Sequence, residues 1–73
     1  MNGITIISVS SYNVHSVGYD KQNQLVYVRF HTPSLYVYEG VVESEFENLL
    51  RASSCGSYIH RKFKNVYPCR RLE

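Results

Sequence analysis

The sequence predicts an α+β domain, a small antiparallel β-meander of three to four strands followed by two short α-helices. Two changes of period carry this: apolar side chains alternate with a period of two between Leu25 and Tyr38, and after Gly40 the period becomes 3.6. Length supplies the third observation. With 73 residues the chain has room for one domain, residues 1–73, and a core that is marginal because so short a chain buries only about 60 % of its unfolded surface. A large private cavity is not expected, and a sizeable site calls for a second subunit.

The elements follow in order. Ile4 to Val9 is apolar enough for a strand, on this chain's own sheet or on a neighbour's. Val14 to Tyr19 alternates weakly, and Asp20 to Gln24 is a polar turn. Leu25 to His31 then sets Val26, Val28 and Phe30 on one face against Tyr27, Arg29 and His31 on the other, the pattern of a half-buried strand. Thr32-Pro33-Ser34 turns the chain, and Leu35-Tyr36-Val37-Tyr38 continues as a strand rich in aromatic and β-branched residues. A helix is expected from about Glu43 to Ala52. Val42, Phe46, Leu49 and Leu50 share its stripe, and Glu43, Glu45 and Glu47 crowd the first turns, where the helix dipole favours acids. Ser53 to Gly56 supplies a stop. Ser57 to Lys64 forms a second helix that buries Ile59 and Phe63 and presents His60, Arg61 and Lys64. Pro68 ends regular structure, and Arg70-Arg71 close a tail.

Composition excludes several classes. No apolar run is long enough for a membrane span, and Met1-Asn2-Gly3 carries no basic side chain of the kind a secretory signal needs, so the expected compartment is the cytoplasm, a host's if the chain is phage-encoded. Cys55 and Cys69 stand fourteen positions apart, outside Cys-x-x-Cys spacing, and are read as free thiols. The net charge of +2 hides a gradient. Residues 1–50 set two cations against five acids, net −3, whereas residues 51–73 set six cations against Glu73 alone, net +5. The basic third is the end that could meet an anion, although such runs are commonly solvated faces.

No catalytic arrangement stands out. Cys55 and His60 are the one nucleophile–base pair within reach, and nothing orients the imidazole or supplies an oxyanion hole. A metal site would need the fold to gather His15, His31, His60 and the cysteines from scattered positions. The expectation is therefore a non-enzymatic protein with no metal and no cofactor. What the sequence does offer is tyrosine, seven of 73 residues, beside cations and small polar residues. Aromatic rings stack on bases, guanidinium groups fork onto phosphates, and a helix N-terminus presents amides to an anion. Tyr36, Tyr38 and Tyr58 are the candidate stacking rings, Arg61, Lys64, Arg70 and Arg71 the candidate phosphate contacts, Ser54 and Gly56 candidate donors, and His60 a candidate polar contact. Core packing for Tyr36 and Tyr38, and helix capping for Ser54 and Gly56, are the structural alternatives.

These segments together resemble the KTSC domain, a small family found at the C-terminus of some lysyl-tRNA synthetases and as stand-alone bacterial and phage proteins. The resemblance spans residues 9–72. Val9-Ser10-Ser11, Val14 and Val17-Gly18-Tyr19-Asp20 are similar to its opening, Val26-x-Val28-x-Phe30 to its second strand, and Tyr36-Val37-Tyr38 to its central Tyr-x-Tyr. Ala52-Ser53-Ser54-Cys55-Gly56-Ser57-Tyr58, Tyr67-Pro68 and Arg70-Arg71 resemble its C-terminal half. Ile59-His60 depart from the family's usual Phe-Asn, and Cys55 stands where a basic residue is common. The synthetase context implies RNA binding.

Three functional readings remain. In the first, two or more copies form a homo-oligomer that binds a small nucleotide signal, cyclic-dinucleotide-like, and sequesters it as an anti-defence sponge. In the second, the basic third and the tyrosine strand bind tRNA or single-stranded RNA. The +2 charge suits a compact dianion better than a long polyanion. The third, a purely protein-binding module, has no positive feature in the sequence.

Overall fold

A computed structural model describes residues 4–9 and 13–73. Ser10 and Ser11 lie outside the described residues. The order is β1 (Ile4–Ser8), β2 (Val14–Asp20), β3 (Leu25–Phe30), β4 (Leu35–Glu39), α1 (Glu43–Arg51), α2 (Cys55–Lys62) and β5 (Cys69–Arg71). The strands form one sheet in the order β1-β2-β3-β4-β5, every neighbouring pair antiparallel. The α+β meander is as expected, with five strands where three to four were read.

Three local differences have physical causes. The chain does not leave regular structure at Pro68: the Pro68 carbonyl accepts from the Glu39 amide at 2.9 Å, and Cys69–Arg71 then pairs with β4 as the fifth strand. Three residues carry too little pattern to announce a strand. α2 starts at Cys55 rather than Ser57, because Ser54 caps it, its hydroxyl accepting from the Ser57 amide. Gly56 therefore sits inside the first turn of α2 and is not a helix stop. The weak alternation of β2 comes from a bulge between Val14 and Ser16. Spaced by three, Val14 and Val17 would fall on opposite faces, but the extra residue re-phases the strand and both are buried.

The turns use the expected chemistry. The Asp20 carboxylate accepts from both the backbone and the side-chain amide of Asn23, and Gln24 takes a left-handed φ of 56° to close the β2–β3 hairpin. Gly40, at φ 77°, lets the chain leave β4 for α1.

Both helices pack on one face of the sheet. Val14, Val17, Tyr19, Val26, Val28 and Tyr38 meet Phe46, Leu49, Ile59 and Phe63 there. Tyr19 stacks on Phe46 at 5.0 Å between centroids, and its hydroxyl donates to the Val41 carbonyl at 2.6 Å. Of the four residues on the expected α1 stripe, Phe46 and Leu49 are buried while Val42 and Leu50 reach solvent. Among the described residues, the opposite face of the sheet carries no helix. Among the described residues no helix is long and apolar enough to cross a membrane.

Candidate functional site

The period-two geometry of β4 decides where its tyrosines go. Tyr36 and Tyr38 share the helix-covered face, but their surroundings differ. Tyr38 is only 5 % exposed and lies edge-on to Phe63 at 5.4 Å, so it is a core ring and not a free stacking surface. Burial, then the adjacent Cys69 thiol, pushes its hydroxyl well above the ordinary phenol range, which keeps it a neutral donor. Tyr36 is half-buried beyond the end of the helical layer, edge-on to Phe30 at 5.6 Å.

At this rim Phe30, Tyr36, Tyr38, Lys64, Cys69 and the Thr32 and Ser34 hydroxyls enclose an open groove of about 430 Å³. Arg71 stands directly opposite Tyr36 in the β4–β5 ladder and so shares its face, with its Nε donating to the Glu73 carbonyl at 2.9 Å. Three of the ten candidate residues, Tyr36, Tyr38 and Lys64, thus line one groove, with Arg71 next to Tyr36 on the neighbouring strand but outside the lining. Phe30, Cys69 and the β3–β4 turn complete it. Phe30 could have been found from its place on the Val26-Val28-Phe30 face, whereas Cys69 and the turn hydroxyls carry no periodic signal.

A second concavity, about 440 Å³, lies at the corner between the helices. It collects Ser54, Tyr58 and Arg61 with Arg51, Ser53 and Ser57. Much of its polar capacity is already engaged: Ser54 caps α2, Arg61 Nε lies 3.5 Å from the Ser57 hydroxyl, and the Arg61 guanidinium sits over the Tyr58 ring at 5.9 Å. The Tyr58 hydroxyl donates to Glu45 at 2.9 Å, and burial followed by that bond raises its pKa. Gly56 has a packing role here, since a Cβ on it would run into the side-chain amide of Asn13. The sequence reading missed Arg51, a basic residue in the last turn of α1 that reaches the site across the loop.

The remaining candidates are elsewhere. His60 is exposed on α2 and lines neither hollow. Arg70 lies on the opposite face of the sheet from Arg71, opposite Val37, where its Nε donates to Glu39 at 2.9 Å. The two arginines are not one unit, as consecutive strand residues cannot be. Cys55 and His60 do not form a pair either: the Cys55 thiol is buried, donates to the Leu49 carbonyl at 3.6 Å, and has its pKa raised by burial. Both cysteines are free, Cys55 buried and Cys69 exposed. Among the described residues, no three His, Cys, Asp or Glu side chains gather to hold a metal ion.

Comparison with known proteins agrees with this architecture. The KTSC domain family model matches residues 10–67. A protein of Stutzerimonas stutzeri (strain A1501), itself uncharacterised, is 34 % identical over 58 residues, which cover 80 % of this chain and 82 % of the relative. The crystal structure of a KTSC domain protein from Yersinia pestis superposes with a TM-score of 0.91 at 30 % identity, covering 97 % of this chain and 100 % of that one. With the family model matching residues 10–67 and the fold shared with a KTSC domain protein along nearly its whole length, this chain belongs to the KTSC domain family.

Proposed function

We propose that this protein binds a small phosphate-bearing nucleotide, of the cyclic-dinucleotide class, and sequesters it without transforming it. One observation carries the reading: a single groove of about 430 Å³ brings the Phe30–Tyr36 aromatic pair and the Lys64 ammonium together. Pockets of roughly 300–1,000 Å³ suit small ligands of this size. A base stacked on Tyr36 would contribute about 1–3 kcal/mol, Lys64 would meet a phosphate as a point charge, and Arg71 beside Tyr36 extends the cationic side. Thr32 and Ser34 line the wall, and since the Thr32 hydroxyl already donates to that of Ser34 at 3.1 Å, the Ser34 hydroxyl is the one left to donate to a sugar or base edge. A compact ligand is favoured over a long polyanion because Arg70 and Arg71 project to opposite faces, which divides the basic third.

Titration calorimetry with cyclic di-AMP, cyclic di-GMP and a short single-stranded RNA tests the reading. A cyclic dinucleotide should bind with weak salt dependence, and Tyr36→Ala and Lys64→Ala should each weaken it at least about 10-fold, as expected for losing one stacking or charged contact. Binding of RNA alone, with affinity falling steeply in salt, would make the chain an RNA module instead. No binding by any of the three probes, or unaltered affinity in both variants, would remove the groove as the site.

A further inference from the structure

We infer that the helix-free face of the sheet is the interface of a symmetric dimer of this chain. This goes beyond the ligand reading and does not depend on it. Ile4, Ile6, Tyr27 and Leu35 wall an apolar hollow of about 350 Å³ on that face, with Gly18 and Ser16 as its floor. Ile6 stands beside the hollow and is 64 % exposed, a large aliphatic side chain left in water. A knob next to a hole on one face is the geometry that a two-fold axis satisfies twice over, each copy's Ile6 seating above the Gly18 floor of the other.

Charge selects the same occupant. Arg29 pairs with Glu73 at 2.8 Å and Arg70 with Glu39 at 2.9 Å, so the rim of this face carries two cations and two solvent-reaching acids, the third acid of the face, Asp20, being buried against Asn23. Such a patch can face its own copy without like-charge conflict, and it has no net positive field for a nucleic acid or an anionic membrane. An apolar centre holding a tyrosine, ringed by paired charges, is also the usual anatomy of a protein interface. Five strands at about 4.8 Å spacing and about five residues of 3.3 Å each make a face of roughly 24 by 17 Å. Two such faces total about 800 Å² before side-chain relief, the scale of a weak, concentration-dependent association. Face-to-face stacking at about 10 Å would produce a four-layer α-β-β-α assembly with both grooves on the outside, at the rims of the helical layers.

Sedimentation velocity of the full chain across about 1–100 µM, a range that spans weak specific association, reads the mass directly. The expected result is a species of twice 8.5 kDa. Ile6→Lys places an unpaired charge in the interface and should weaken the dimer at least about 100-fold, leaving a folded monomer whose circular dichroism matches that of the wild type. Should Ile6→Lys disturb β1, Ile6→Ser reads the same effect, with a weakening of at least about 10-fold. Glu47→Gln, the same +1 change of charge on α1, should leave the dimer intact. A wild-type chain that stays at 8.5 kDa throughout, or a dimer that neither Ile6 variant weakens, overturns the inference.

Discussion

Phe63 is fully buried and its ring contacts three tyrosines: Tyr38 at 5.4 Å, Tyr58 at 6.1 Å and Tyr67 at 5.2 Å. It joins the end of α2 to β4 and to the segment that leads into β5. Truncation to alanine removes a buried aromatic side chain and leaves a cavity, a change that costs about 3–5 kcal/mol. A domain of 73 residues at about 0.05–0.15 kcal/mol per residue has only about 4–11 kcal/mol in total. Phe63→Ala therefore removes between about a quarter and the whole of the stability. Phe63→Leu keeps most of the volume but loses the ring–ring geometry, worth about 0.5–1.5 kcal/mol for each pair, so a loss of about 1–3 kcal/mol is expected. Urea unfolding followed by circular dichroism gives both values. In a thermal melt each kcal/mol corresponds to about 4–8 °C in a domain of this size. The order wild type, Phe63→Leu, Phe63→Ala should hold in both assays. A Phe63→Ala protein melting within about 4 °C of wild type would mean that Phe63 does not hold the core together, since under 1 kcal/mol would then be lost.

Three further outcomes follow from the same geometry. Arg71→Ala should weaken nucleotide binding about 10-fold or more, whereas Arg70→Ala, which breaks an exposed pair with Glu39 on the other face, should leave affinity within about twofold and stability within about 1 kcal/mol; calorimetry of the two single variants separates them. Tyr19 and Tyr38 are buried with raised pKa values, so the folded state keeps protons that the unfolded chain has begun to lose. Stability should be whole below about pH 10 and fall above it by up to about 1.4 kcal/mol per pH unit for each ring, read from urea midpoints between pH 8 and 11 at about 0.5-unit steps. Cys69 should react with a maleimide in the native protein at the rate of an accessible thiol, while Cys55 reacts only on unfolding, a difference that mass spectrometry of a timed labelling series counts directly.

Much of the meander was legible. β3 alternates, β4 is rich in aromatic and β-branched residues although its adjacent residues Val37 and Tyr38 are both buried, and the change to a 3.6 period at Gly40 coincides with the start of the helical layer within three residues. β5 was not legible, because its three residues owe their extended shape to pairing with β4 rather than to propensity. The start of α2 was misplaced for a related reason: Ser53-Ser54-Cys55-Gly56 contains residues that serve equally as a stop or as a start, and the choice depends on Ser54 capping the helix and on Asn13 packing over Gly56. Of the candidate residues, Lys64 and Tyr36 were found as a type of chemistry, but their meeting in one groove required the return of the chain after α2.

The sequence by itself determined which residue types are present, the two periodicities, the charge gradient and the family resemblance, all of which are local or compositional. Tertiary structure decided the rest. It divided two tyrosines of one strand face into a core ring and a half-buried groove ring, because Tyr38 packs against Phe63 whereas Tyr36 meets Phe30 at the edge of the core. It placed adjacent arginines on opposite faces, because the last residues join the sheet as a strand. Among the described residues it also left one face of that sheet without a helix, because both helices follow the meander and pack on the same side.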